Sequence, residues 1–203
     1  MADVTRIGIA GYMGAGKSTC ARLFESGDTL IINADDEAKR VMLGDRRVVD
    51  NLRSVFGGGV VWDDGALRFD VLGRIVFQSI ESLSAFNSIV HPPVLEHLER
   101  LVAGCTKPLC ILDAALIPLW AGVRGKDIRL DRYIWIDTPF DVRLERIKAK
   151  RGGIDADELV RRMRLQEEIM PVPQGDHWVR LTDAGCREYI VNHHHLPPPP
   201  GLP

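Results

Sequence analysis

Arg6-Ile-Gly-Ile-Ala10-Gly11-Tyr-Met-Gly14-Ala15-Gly16-Lys17-Ser18-Thr19 begins as an apolar, strand-like run and ends on the pattern G-x-x-x-x-G-K-S. Glycines at this spacing let successive backbone N–H groups turn inward around phosphate oxygens. Lys17 adds a mobile positive charge, and the Ser18 hydroxyl suits Mg²⁺. Ser18 to Glu25 then reads as a helix whose amino end faces the bound anion. Strand, loop and helix arrive in the order of a phosphate-binding loop, and a polyphosphate is the implied ligand. The same loop serves kinases, GTPases and motor ATPases, so it does not choose the reaction.

Working outward, Thr29 to Ile32 reads as a second buried strand, followed by a charged helical stretch from near Asp36. Arg46 to Phe56, Arg68 to Ser79 and Leu83 to Val102 carry apolar residues at three- and four-residue spacing. Gly57-Gly58-Gly59 and Pro92-Pro93 are expected to interrupt this helical block, which looks inserted between strands. Leu109 to Asp113 and Tyr133 to Asp137 are the third and fourth strands, each an apolar run ending in an aspartate, and Pro139 starts another helix. Strands alternating with helices imply an α/β fold, a doubly wound parallel sheet with ligands at the carboxyl ends of its strands. There is no internal repeat.

A chain of 203 residues fills one α/β domain with a small lid or insertion. Its 26 Lys and Arg against 28 Asp and Glu give a net charge of −2, so no basic field points to nucleic acid, and a small-molecule substrate fits better. Residues 1–6 lack the layout of a signal peptide and no apolar run reaches membrane-spanning length, so a soluble, cytoplasmic protein without a membrane partner is expected. The oligomeric state is open. Cys20, Cys105, Cys110 and Cys186 form no C-x-x-C pair, which points to buried reduced thiols rather than a zinc cluster or disulfide framework. In the tail, His193-His-His195 precedes a proline run, and residues 193–203 are expected to be disordered. Adjacent histidines diverge, so this tract is a poor metal site.

Phosphoryl transfer needs more than the loop. Asn33-Ala-Asp35 lies at the exit of the second strand, expected beside the loop that follows the first. A carboxylate at Asp35 can orient an acceptor hydroxyl, take its proton and help hold hydrated Mg²⁺, or it can serve as a helix N-cap. Asp113, closing its buried strand, has the position of a second metal-side acid, against the alternative of a turn-initiating aspartate. Arg143, Arg146, Lys148, Lys150 and Arg151 precede Gly152-Gly153, with Arg161, Arg162 and Arg164 beyond, an arrangement that resembles a lid. For most of these cations a solvated helix face, with pairs such as Glu158 to Arg162, is the alternative, and Arg151 is the strongest functional candidate.

The order of the G-x-x-x-x-G-K-S-T loop, Asn33-Ala-Asp35, Ile89-Val-His91-Pro92, Ile111-Leu-Asp113, Arg146, Arg151 and Gln166 resembles the dephospho-CoA kinase family over nearly the whole chain. The stretch Arg68 to Phe77 resembles the family's R-x-x-L-x-x-I-V-F segment, and Tyr189-Ile-Val-Asn192 its late strand ending in asparagine. The resemblance implies a P-loop kinase domain over residues 1–192. Its core would be 1–35, 105–142 and 186–192, its helical acceptor-binding region 36–104 and its lid 143–170. It also implies ATP-dependent phosphorylation of the ribose 3′-hydroxyl of dephospho-CoA with Mg²⁺, the last step of CoA synthesis. By the same resemblance Gly14, Ala15, Gly16, Lys17, Ser18 and Thr19 hold ATP, Asp35 is the catalytic acid, Lys17 and Arg151 contact phosphate, and His91 and Asp113 belong to the acceptor side. Another small-metabolite or nucleoside kinase, or a nucleotide-binding module without turnover, would share much of this pattern. Departures are Asn33 where the family usually has aspartate, Asp113-Ala-Ala-Leu-Ile-Pro-Leu-Trp120 without the family's glutamate, Arg143 at a family glutamine, and the proline tail in place of a C-terminal helix.

Overall fold

The computed structural model describes residues 4–120, 128–150, 155–175, 178–182, 185–186, 188–189 and 192. In chain order the elements are β1 (Thr5–Ala10), α1 (Lys17–Arg22), β2 (Thr29–Asn33), α2 (Ala34–Gly44), α3 (Arg46–Phe56), a 3₁₀ turn (Gly58–Val60) and α4 (Phe69–Val76). They continue with α5 (Ile80–Ala103), β3 (Leu109–Asp113), α6 (Ile117–Trp120), β4 (Arg132–Ile136), α7 (Phe140–Lys150), α8 (Ala156–Ile169) and β5 (Trp178–Leu181). They fall into two compact units, Met1–Ala34 with Glu99–Pro203, and Asp35–Leu98.

The first unit is built on a five-stranded sheet of order β2-β3-β1-β4-β5, every neighbouring pair parallel. Parallel strands covered on both faces read as unbroken apolar runs, and Leu109-Cys-Ile-Leu-Asp113 is buried at every position. Ile111 and Leu112 are fully buried, each contributing about 2 kcal/mol by apolar burial. Leu112→Ala would cost about 2–5 kcal/mol. Ile7 and Ile9 of β1 pack with Ala15, Cys20, Phe24, Ile111, Ile134 and Ile136 in one core cluster. Helix α1 is shorter than the expected Ser18 to Glu25, but the chain keeps turning to Glu25 through i to i+3 bonds such as Phe24 N to Ala21 O, 3.1 Å.

Three expectations are corrected. The last strand is Trp178–Leu181, whereas Tyr189 and Asn192 are helical, as are residues 185, 186 and 188. Helix thus stands where the resemblance implies a late strand ending at Asn192. Cys20 and Cys186 form a disulfide with Cα atoms 6.4 Å apart, while Cys105 and Cys110 are free and buried. Both bridged residues belong to the core cluster beneath β1, and a separation of 166 residues leaves no local sequence signature. Helix α5 also runs unbroken through Pro92 and Pro93. Two prolines remove helical donors, but Val90, Val94 and Leu95 on either side of them are 1–3% exposed, and their packing holds the helix together.

In the second unit, Asp45 caps α3 by accepting from Arg47 N at 2.9 Å, and Gly57 at φ +90° ends the helix, as the triple glycine predicts. Val48, Leu52, Val60, Leu67, Leu72 and Val76 are among its buried side chains. Glu37 of α2 is buried and satisfied by Arg40 Nη1 at 2.6 Å and His97 Nε2 at 2.7 Å. Among the described residues no helix is long and apolar enough to cross a membrane.

Candidate active site

The loop between β1 and α1 turns on glycines in the left-handed region. Gly14 has φ +81°, and a Cβ built there would lie 2.8 Å from the Arg143 carbonyl oxygen, so α7 packs directly against the loop backbone. Gly16, at φ +102°, leads into α1. Ala15 is fully buried in the core, Thr19 is exposed, and Lys17 curls back so that Nζ donates to Tyr12 O at 3.3 Å.

Segments beyond β4 hold the loop from outside. Thr138 Oγ1 donates to Ala15 O at 2.9 Å, Arg146 Nη1 reaches the same carbonyl at 3.4 Å, and Met13 N donates to Gln166 Oε1 at 2.7 Å. Tyr12 Oη donates to Met170 O at 2.9 Å, and its ring meets Trp135 edge-on at 4.9 Å. Burial, and then the nearby Glu167 carboxylate, raise the Tyr12 phenol above its ordinary pKa, so it stays a neutral donor.

At the carboxyl edge of the sheet, Asp113 is 4% exposed and pairs in register with Asn33 of β2 on one side and Ile9 of β1 on the other. Asp113 Oδ2 accepts from Ser18 Oγ at 2.5 Å and from Asn33 Nδ2 at 3.1 Å. Strand β3 lies between β1 and β2, so the exit of β2 at Asn33 meets the loop through Asp113, one of whose oxygens takes both Asn33 and Ser18. Asp113 is the acid next to Ser18, bound as a buried carboxylate should be rather than opening a turn. Among the described residues no three His, Cys, Asp or Glu side chains cluster as a metal cage. A hydroxyl and one buried carboxylate fit the sparse oxygen donor set that Mg²⁺ takes beside substrate phosphates.

Asp35 is the second residue of α2, exposed, inside the first turn instead of at the cap, where an acid favours the helix dipole. His91 lies in α5, and burial pulls its pKa down to about 4, leaving a neutral imidazole at pH 7. Arg151 and residues 193–203 lie outside the described residues. Glu158 and Arg162 pair along α8 as expected, but the pair is largely buried and Arg143 is 2% exposed, so for both cations the solvated reading is corrected. Sequence alone does not mark Thr138 or Tyr12 as site residues. The only local signal for Thr138 is its place just after the β4 run, at a strand's carboxyl end.

A phosphate loop on a five-stranded parallel sheet, its serine bonded to an acid at the end of the neighbouring strand, defines a P-loop nucleotide-binding protein. The family model described as dephospho-CoA kinase matches residues 5–171. A dephospho-CoA kinase of Methylococcus capsulatus is 31% identical over 153 residues, 75% of either chain, and one of Chlorobaculum tepidum is 33% identical over 191 residues, 90% of this chain and 88% of the other. The crystal structure of TT1252 from Thermus thermophilus superposes with a TM-score of 0.68 at 26% identity, covering 96% of this chain and 99% of that one. The dephospho-CoA kinase of Campylobacter jejuni, 19% identical with a TM-score of 0.53 over 94% of this chain and 97% of its own, shares the fold. The chain belongs to the dephospho-CoA kinase family.

Proposed function

We propose that this chain transfers the γ-phosphoryl group of ATP to the ribose 3′-hydroxyl of dephospho-CoA, giving CoA and ADP. Membership of the family joined to the Ser18–Asp113 bond at the mouth of the loop carries this reading. The loop amides from Gly14 to Thr19 bind the phosphate oxygens, and Lys17 leaves Tyr12 O to neutralise charge on the group in transfer. Asp35 takes the proton of the acceptor hydroxyl as its oxygen bonds to the γ-phosphorus and the bond to ADP breaks. Ser18 and Asp113 supply the oxygen donors for Mg²⁺, which shields phosphate charge when bound. Arg151 contacts phosphate from the lid over 143–170. His91 faces the acceptor as a neutral group, within the helical region 36–104. The reaction belongs in the cytoplasm, where ATP is supplied.

A phosphorylation assay with ATP, Mg²⁺ and a panel of acceptors tests this. Dephospho-CoA should exceed adenosine and AMP in kcat/KM by at least about a hundredfold, because binding energy from the remote pantetheine arm aligns the reacting hydroxyl. Equal rates on adenosine would make the chain a nucleoside kinase. Binding of ATP with no transfer to any acceptor would make it a nucleotide-binding module.

A further inference from the structure

Arg143 has a role that no motif assigns. A guanidinium carries a permanent charge and five donors in a rigid fork, so burying it demands partners on every side. Its Nε donates to Thr138 O at 3.0 Å, its Nη2 is ion-paired with Glu167 of α8, and its Nη1 reaches Met13 O at 3.5 Å. The guanidinium carbon stands 4.9 Å from the Tyr12 ring centroid and 5.3 Å from that of Phe140, distances at which a cation is attracted to a ring face. Its backbone oxygen is the atom that Gly14 must leave room for.

Each of these contacts falls on the outer turn of the phosphate loop, Tyr12-Met13-Gly14, or on what braces it. Glu167 is the neighbour of Gln166, whose side chain holds Met13 N, so two consecutive residues of α8 grip the same loop residue, one directly and one through Arg143. Drawing the Met13 carbonyl outward favours the backbone rotation in which the following amides point to the phosphate site. We propose that Arg143 is a positioning residue for ATP, linking α8 to the phosphate loop and holding the loop in its phosphate-accepting shape before nucleotide arrives. It touches no substrate itself. Its loss should therefore weaken nucleotide binding and leave the acceptor alone.

The test compares two variants of the full chain. Arg143→Met with Glu167→Gln removes both charges together, so neither is stranded. Arg143→Lys keeps a cation opposite Glu167 but lacks the planar fork. Calorimetric titration with ATP and Mg²⁺ gives Kd, steady-state assays give KM for each substrate, and thermal melting reports folding. The double variant should bind ATP about tenfold or more weakly, the scale of a lost charge-assisted hydrogen bond, with KM for dephospho-CoA unchanged. Arg143→Lys should recover Tm while its Kd for ATP stays raised. If the double variant does not fold, Arg143→Lys decides by the same measurements. Wild-type Kd in folded variants with lowered Tm, or parallel rises in both KM values, would overturn the proposal and leave Arg143 a packing residue. Because ATP binding needs no acceptor, a wrong acceptor assignment would not disturb this test, whereas failure of the unaltered chain to bind ATP would overturn the kinase reading itself.

Discussion

Reducing the bond between Cys20 and Cys186 should destabilise the protein far more than a typical surface change would. The bond closes a loop of 166 residues that takes in the whole second unit and β2 to β5 of the first, with β1 and the phosphate loop outside it. Opening it frees the unfolded chain by about 17 cal/mol/K in the chain-entropy relation, about 5 kcal/mol at 25 °C. With a urea dependence of about 2–3 kcal/mol/M, the midpoint should fall by about 2 M. The assay is urea unfolding followed by tryptophan fluorescence, with and without a dithiol. A thiol titration in denaturant runs beside it, expecting two reactive groups, Cys105 and Cys110, in the oxidised chain and all four after reduction. Cys186→Ala should reproduce the reduced midpoint without dithiol. Four titrating thiols in air-oxidised protein, or coincident midpoints, would refute the reasoning.

Asp35→Asn should lower kcat by about a hundredfold or more with ATP affinity intact, as for a lost general base; a first-turn acid serving only the helix dipole would instead cost about 0.3–1 kcal/mol of stability and leave kcat alone. Asp113→Asn keeps the shape of the bond to Ser18 but removes the charge, so the Mg²⁺ concentration for half-maximal rate should rise about tenfold or more; an unchanged Mg²⁺ requirement would make Asp113 purely structural. His91 should make stability depend on pH. Its pKa is about 4 in the fold against 6.5 for the free side chain, so the unfolded chain binds the extra proton between those values. The contribution is full above pH 6.5 and is lost as pH falls toward 4, about 3 kcal/mol in all. Urea midpoints measured across that window should flatten in His91→Gln, and an identical slope in both proteins would show that His91 is not the titrating group.

The buried strands were legible because a strand covered on both faces must be apolar throughout, as Leu109 to Leu112 is, and the loop because its glycine spacing is a requirement of backbone geometry. Strand β5 was not. Trp178-Val-Arg-Leu181 pairs on one side only, none of its residues is fully buried, and Arg180 reaches out to Asp137 at 3.0 Å, so no apolar run marks it. Arg143 escaped for the opposite reason. A cation in the charged helix Phe140–Lys150 reads locally as solvated, and only the tertiary neighbours Tyr12, Thr138 and Glu167 make its burial possible. Asp113 was legible as an acid at a strand end, but its partner atoms were not, because they depend on β3 lying between β1 and β2.

That strand order also makes room for divergence. Parallel neighbours β2 and β3 need a crossover of about a dozen residues at least, and here residues 34–108 serve as that crossover. Closing a connection roughly six times the minimum costs only about 2 kcal/mol more, since the penalty grows with the logarithm of length. The register from Thr29 with Leu109 to Asn33 with Asp113 is set by the strands, whatever the crossover contains. On the proposed assignment of the acceptor to residues 36–104, its preference can therefore be rewritten inside one excursion of the chain while the sheet, the phosphate loop and Asp113 stay as they are.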